Sequence, residues 1–356
     1  MKNRYFPQYF RAKRPYYNNA FVADAFNAAR DPRIPVVAFM RDTILASAVN
    51  AGLAENVNRQ DFLYRESPIA QTLVTLEWNE TPLYDINPAL LEALANSDPG
   101  DMRLADLRSP NHIYYLHWGP QTDLLLNGTN PVEGAIVATV KDQWHVALVA
   151  RTSASWLSMN ERDNFLLKFP ESTRLLPFEQ AVEIAIDSEL QELQEVFAAS
   201  QEGGSDWGMT PEIRDRMQSD MQRNTPVLKR ALSLAGNCIA YLTAYPGDSR
   251  FDWEMNTPSS MLVKLARSAK EAARTASKLK NMGFLQIHRV GLDFQHSADT
   301  ATARHHETGD GIHASPKPHW RRGHWRHQAY GAERAQRKLL WVRPMRVLGG
   351  PSMASV

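Results

Sequence analysis

The spacing of hydrophobic positions changes along the chain, and each change predicts a different kind of element. Residues 1–20 alternate aromatics (Tyr5, Phe6, Tyr9, Phe10, Tyr16, Tyr17) with bases and contain Pro7 and Pro15, the pattern of an arm laid on a domain. From DPRIPVVAFMRDTILASAVNAGL (31–53) the apolar residues recur at helical spacing. Asp31 serves as a cap, Pro32 suits a first turn and Gly52 ends the run. Further helices are predicted over 59–73 and 87–96. The period then drops to two. MRLADLR (102–108), HIYYLHWG (112–119), GAIVATVKD (134–142), HVALVAR (145–151) and NFLLKF (164–169) are short runs of β-branched, aromatic and apolar residues between turn signals, the spacing of an antiparallel sheet.

Helical period returns at PFEQAVEIAIDSELQELQEVFAASQE (177–202), an acidic helix without a base, and continues through 210–223 and 226–243. Over 258–284 a single helix is predicted. Leu262, Leu265, Ala269, Ala272, Ala276 and Leu279 mark its packing face, and Lys264, Arg267, Glu271, Arg274 and Lys278 form an opposite, cationic stripe. IHRVGLDF (287–294) alternates like a strand, 297–318 loses all periodicity, and RKLLWVRPMRV (337–347) alternates again with Pro344 at an edge or bulge. The expected class is α+β: a helical N-terminal region, a central antiparallel sheet, a helical middle and a C-terminal basic β-element. The expected divisions are an arm (1–20), helices plus sheet (21–176), a helical region (177–286), and a His-rich connector with the β-element (287–356).

With 356 residues, 43% of them hydrophobic and 22% charged, the chain can bury a substantial core. Its longest apolar run, IPVVAFM (34–40), is too short to span a bilayer, and the basic N-terminus lacks the apolar region of a secretory signal. A cytoplasmic location is therefore expected, and the single cysteine, Cys238, fits a reducing compartment. The net charge of +1 hides an asymmetry. Lys2, Arg4, Arg11, Lys13 and Arg14 face no acid within 1–14, and nine Arg/Lys face only Glu333 within 317–356. Basic ends on an acidic body suit an acidic partner or the molecule's own acidic face, and both readings stand.

The stretch HWRRGHWRHQAYGAERAQRKLLWVRP (319–344) carries most of the candidate chemistry. Trp320, Arg321, Arg322, Trp325, Arg326, Tyr330, Arg334, Arg337 and Lys338 interleave aromatic faces with cations. Guanidinium and ammonium groups neutralise phosphates while rings stack on bases, a composition that suits a single-stranded nucleic acid. Lys264, Arg267, Arg274 and Lys278 offer a second nucleic-acid surface. The competing reading is a compact β-hairpin whose tryptophans form a small core, with its arginines stacked over them or paired with the acidic body. A minority reading is metal-independent ribonuclease chemistry, with His324 and His327 exchanging the proton and Arg326 stabilising the phosphorane. Histidines cluster from His288 to His327 without any recognised metal-ligand spacing, so no metal and no cofactor is expected. Serine-hydrolase and phosphate-loop signatures are absent, and whether the chain is an enzyme stays open.

The run RRGHWRHQAYGAERAQRKLLWVRPMRVLGG resembles a C-terminal signature of uncharacterised bacterial, prophage and plasmid proteins: R-G-H-W-R-x-Q, a glycine, a basic stretch and W-[IV]-x-P. Arg322, Gly323, His324, Trp325, Arg326, Gln328, Gly331, Trp341 and Pro344 match it, and MRLADLRSPNHIYYLHWG followed by VEGAIVATV is similar to a sheet segment of the same proteins. The resemblance implies a phage or mobile-element context and no mechanism. The leading expectation is thus a phage or mobile-element protein that binds nucleic acid through its C-terminal segment. The rival is a non-enzymatic effector or inhibitor that holds an acidic host protein.

Overall fold

The computed structural model describes residues 5–13, 82–140, 143–151, 164–202, 211–295 and 319–347. The helices expected over 31–53 and 59–73, most of the arm and the 297–318 connector lie outside the described residues. Within the arm, Phe6–Lys13 forms helix α1.

The chain is α+β, as its periods require, but its large sheet is mixed rather than purely antiparallel. LYDI forms strand β1 (Leu83–Ile86), and Asn87 then caps helix α2 (Pro88–Ala95), its side chain accepting from the Ala89 amide at 2.8 Å. Two-residue β2 (Ser97–Asp98) follows. The run 102–108, expected as a strand, instead makes a single 3₁₀ turn at Leu104–Asp106, with Met102, Leu104 and Leu107 all buried. Its apolar positions serve packing rather than a ladder. The next strands fall where the alternation puts them: β3 (Ile113–His117), short β4 (Leu125–Leu126), β5 (Asn130–Val140), β6 (Gln143–Ala150) and β7 (Asn164–Phe169).

Acidic helix α3 (Phe178–Glu202) leads to α4 (Pro211–Ala244), one 34-residue helix where two were expected. Pro226 removes one intrahelical donor there without ending the helix. Met217, Met221, Leu228, Ala231, Leu232, Ala235 and Ile239 continue one buried ridge through it. The single helix expected over 258–284 is in fact two, α5 (Ser259–Leu265) and α6 (Ala269–Asn281). Extended Ser268 (φ −153°) separates them and accepts from the Glu271 amide at 3.2 Å, starting a new helix. Strands β8 (Ser249–Trp253) and β9 (Gln286–Val290) flank this pair.

The sheet runs in the order β7-β6-β5-β3-β1-β9-β8, with β4 beside β5. The half from β7 to β3 is antiparallel, as expected. At the centre, β1 is parallel to both β3 and β9, and β8 closes the edge antiparallel to β9. Helices α3 and α4 pack together against the sheet, and one hydrophobic cluster reaches from Tyr84 to Trp341. Cys238 is fully buried in it and burial pushes its thiol pKa up, the state of a packing residue rather than a nucleophile. The C-terminal element does not join this sheet. Strand β11 (Gly323–Tyr330) pairs antiparallel with β12 (Gln336–Val342) and, over two residues, parallel with β2, while β10 (His319–Arg321) pairs with β13 (Met345–Val347).

Candidate functional site

Alternation along β11 decides what each residue of the C-terminal hairpin can do, because successive side chains of a strand point to opposite faces. Trp325 and its cross-strand partner Trp341 point inward, 1% and 4% exposed, with rings 6.0 Å apart and nearly parallel. Each indole N–H is satisfied. Trp325 donates to Asn237 Oδ1 of α4 at 3.0 Å, and Asn237 Nδ2 donates to the Leu94 and Ser97 carbonyls, both at 2.9 Å. Trp341 donates to Ser97 Oγ at 2.9 Å, and that hydroxyl donates to the Ala93 carbonyl at 2.8 Å. Asn237 and Ser97 thus bolt the hairpin to the C-terminal end of α2.

This arrangement explains much of the R-G-H-W-R run. A Cβ on Gly323 would lie 2.6 Å from Ser97 Oγ and 2.8 Å from the Pro344 nitrogen. On the other side of the joint, Gly100 sits at φ +57° and its Cβ would lie 2.5 Å from the Trp325 carbonyl oxygen. Gly100→Ala is expected to destabilise the protein by about 2 kcal/mol or more, from left-handed strain plus a backbone clash. A chemical-denaturation midpoint unchanged by this substitution would contradict the packing.

Two sequence expectations need correction. Trp325 is not a stacking platform, because its ring lies in the core. Trp320 lies in β10. Nor do His324 and His327 form a proton-exchanging pair, since three residues apart on a strand they take opposite faces. His327 turns inward with its Nε2 3.0 Å from Asp106 Oδ1, while His324 is exposed beside Arg326. What remains outward is a cationic face of Arg322, His324, Arg326, Tyr330 and Lys338, with the Lys338 ammonium 5.7 Å from the Tyr330 ring. Arg321, Arg334 and Arg337 are also exposed. Arg337 donates to the Arg334 carbonyl at 2.8 Å, at the far end of the hairpin. Lys264, Arg267, Arg274 and Lys278 are exposed on α5, α6 and the link between them. Among the described residues no group of His, Cys, Asp and Glu is arranged to hold a metal. His288 instead stacks on Tyr84 at 4.8 Å, and His296, His305, His306 and His313 lie outside the described residues.

A second site was not legible in the sequence. The carboxyl ends of β1, β3 and β9 bring Asp85, His117 and Arg289 to one cleft of about 440 Å³, joined by Glu133 of β5 and Arg151 after β6. Clefts at the carboxyl ends of parallel strands are common ligand sites. Glu133 is 1% exposed; its Oε2 lies 2.5 Å from Arg151 Nε and its Oε1 has no hydrogen-bond partner among the described residues. Burial pushes its carboxyl up to about 7, against the opposing charge of Arg151. Burial and then Glu133 hold the Tyr115 hydroxyl well above its ordinary range. Asp85 Oδ2 lies 3.5 Å from Arg289 and accepts from the Tyr5 hydroxyl at 3.0 Å. Tyr5 also sets its ring edge-on to His117 at 4.7 Å, and the Arg151 guanidinium sits over Tyr9 of α1. The N-terminal segment therefore borders the cleft.

A family model described as AcrVA2-like, the anti-CRISPR type V subtype A2 family, matches residues 84–349. The chain belongs to the AcrVA2-like family. The matched span runs from β1 through β13 and so contains both the hairpin and the main-chain frame of the cleft. An AcrVA2-like assignment agrees with the phage or mobile-element context that the C-terminal resemblance implied. No curated protein sequence matches the chain. Among solved structures, the crystal structure of AcrVA2 matches 95% of this chain and 97% of that chain, at 14% identity and a TM-score of 0.38. No described helix of this AcrVA2-like chain is long and apolar enough to cross a membrane.

Proposed function

We propose that this AcrVA2-like protein is a non-enzymatic inhibitor of a type V CRISPR system, acting in the host cell by holding an acidic surface of a protein partner against its C-terminal hairpin. One observation carries the reading. The hairpin is pinned from within by Trp325 and Trp341, while Arg322, His324, Arg326, Tyr330 and Lys338 stay exposed around half-buried Leu340 and Val342. An apolar centre with tyrosine and arginine around it is the composition of a protein interface. A single-stranded nucleic acid needs open aromatic faces, and burial has withdrawn two of the three tryptophans from that use. The dismantled His324/His327 pair supports binding rather than cleavage.

The test is capture of a type V effector protein on immobilised chain, with and without nuclease treatment. Arg322→Glu, Arg326→Glu and Lys338→Glu together are expected to reduce capture by about tenfold or more, because like charges across an interface cost several kcal/mol. These positions are exposed, so the melting temperature should hold. Capture that survives the triple change would overturn the assignment to this face. Capture lost on nuclease treatment would transfer the hairpin to nucleic acid.

A further inference from the structure

Among the described residues the cations of α6 enter neither an ion pair nor the proposed hairpin interface. Lys270, Arg274 and Lys278 recur every fourth residue within one arc of the helix, each exposed, and Lys264 and Arg267 precede them. The opposite side seats the helix through buried Thr275 and Leu279, and Ser268 caps its start. The row is therefore held on a fixed support.

Nothing acidic in the described structure neutralises it. Glu271 is engaged by Arg267 at 3.4 Å, and the acidic helix α3 spends Glu183 on Lys229 and Glu192 on Lys168. Lys264, Lys270, Arg274 and Lys278 have no acidic partner among the described residues. Between the cations the exposed surface consists of Ala273 and Ser277, side chains small enough for a polymer backbone to come close, and Ser277 adds a hydroxyl donor. A helix rises about 1.5 Å per residue, so the row extends over roughly 12 Å. A duplex strand presents one phosphate per roughly 3.4 Å of axis, so about three or four phosphates lie opposite. Residues 259–281 contain no Phe, Tyr or Trp, which leaves no platform for unstacked bases. Between its own cations α6 exposes no large apolar side chain; the exposed apolar residues Leu262, Val263 and Met282 lie before and after the row rather than within it.

The geometry points to the Lys270–Arg274–Lys278 row, flanked by Lys264 and Arg267, as a binding surface for the phosphate backbone of a nucleic-acid duplex, without sequence preference. This surface is independent of the hairpin and of the protein partner proposed for it. Binding there neutralises charge and releases counterions, so its signature is the salt dependence of the affinity.

The test is fluorescence anisotropy of the full chain with labelled mixed-sequence duplexes, DNA and RNA, across a potassium chloride series. Lys270→Ala, Arg274→Ala and Lys278→Ala combined are expected to flatten the slope of log affinity against log salt by about 2.7, near 0.9 per lost phosphate contact. The hairpin triple variant should keep the parent slope, and Lys270→Arg with Lys278→Arg should keep both slope and affinity. The proposal fails if the parent chain binds no duplex. It fails equally if the alanine variant keeps the parent slope, or if a single strand of equal length binds more tightly than the duplex. Unchanged duplex affinity with weakened capture of a protein partner would assign the row to protein instead and likewise overturn it.

Discussion

Replacing Trp325 with alanine is expected to cost about 3–5 kcal/mol of folding stability, the range for truncating a large buried aromatic. The indole is 1% exposed, stacks with Trp341 and donates to Asn237. Removing it opens a cavity between α4 and the hairpin and strands Asn237 Oδ1. Trp325→Phe should fall between, losing about 1–3 kcal/mol, because it keeps most of the apolar contact yet leaves a buried acceptor unpaired. Urea unfolding of the two variants beside the parent measures both. A tryptophan serving as a nucleic-acid platform would give the opposite result: stability held within about 1 kcal/mol in the alanine variant and affinity for single strands lost. The two roles are thus separated by one pair of substitutions.

Glu133 is expected to make stability fall as pH rises toward neutrality. Burial lifts its folded pKa to about 7 from an ordinary 4.5, so between these values the folded state binds more protons than the unfolded one. Under that inequality a rise in pH favours unfolding. The favourable contribution is fully present below about pH 4.5 and lost once the pH passes about 7. Glu133→Gln has no proton to lose, so its stability relative to the parent should grow from pH 5 to pH 8, by up to about 3 kcal/mol at 1.36 kcal/mol per unit. Denaturation midpoints of parent and variant at several pH values check this. Parallel profiles would show that Glu133 does not titrate in that window.

Local pattern determined the elements whose signals are local. Alternation in NFLLKF places β7 at Asn164–Phe169, and the acidic amphipathic run at 177–202 places α3 at Phe178–Glu202. The α+β class follows from the same periods, because hydrophobic spacing is written residue by residue and needs no partner to be read. Where tertiary packing outweighed a local signal, the outcome moved. Two helices were expected over 210–223 and 226–243, yet a continuous buried ridge keeps α4 whole through Pro226, and the apolar spacing of 102–108 serves one 3₁₀ turn in the core. Composition alone determined that 319–344 would be basic and aromatic. Only the fold decided that Trp325 and Trp341 turn inward while Arg322, His324 and Arg326 turn outward, because the hairpin's register and the partners at Asn237 and Ser97 come from distant parts of the chain. The cleft was beyond sequence altogether. Asp85, His117, Glu133, Arg151 and Arg289 carry no motif, and they meet because β1 lies parallel between β3 and β9, a pairing that long-range topology sets and local spacing does not encode.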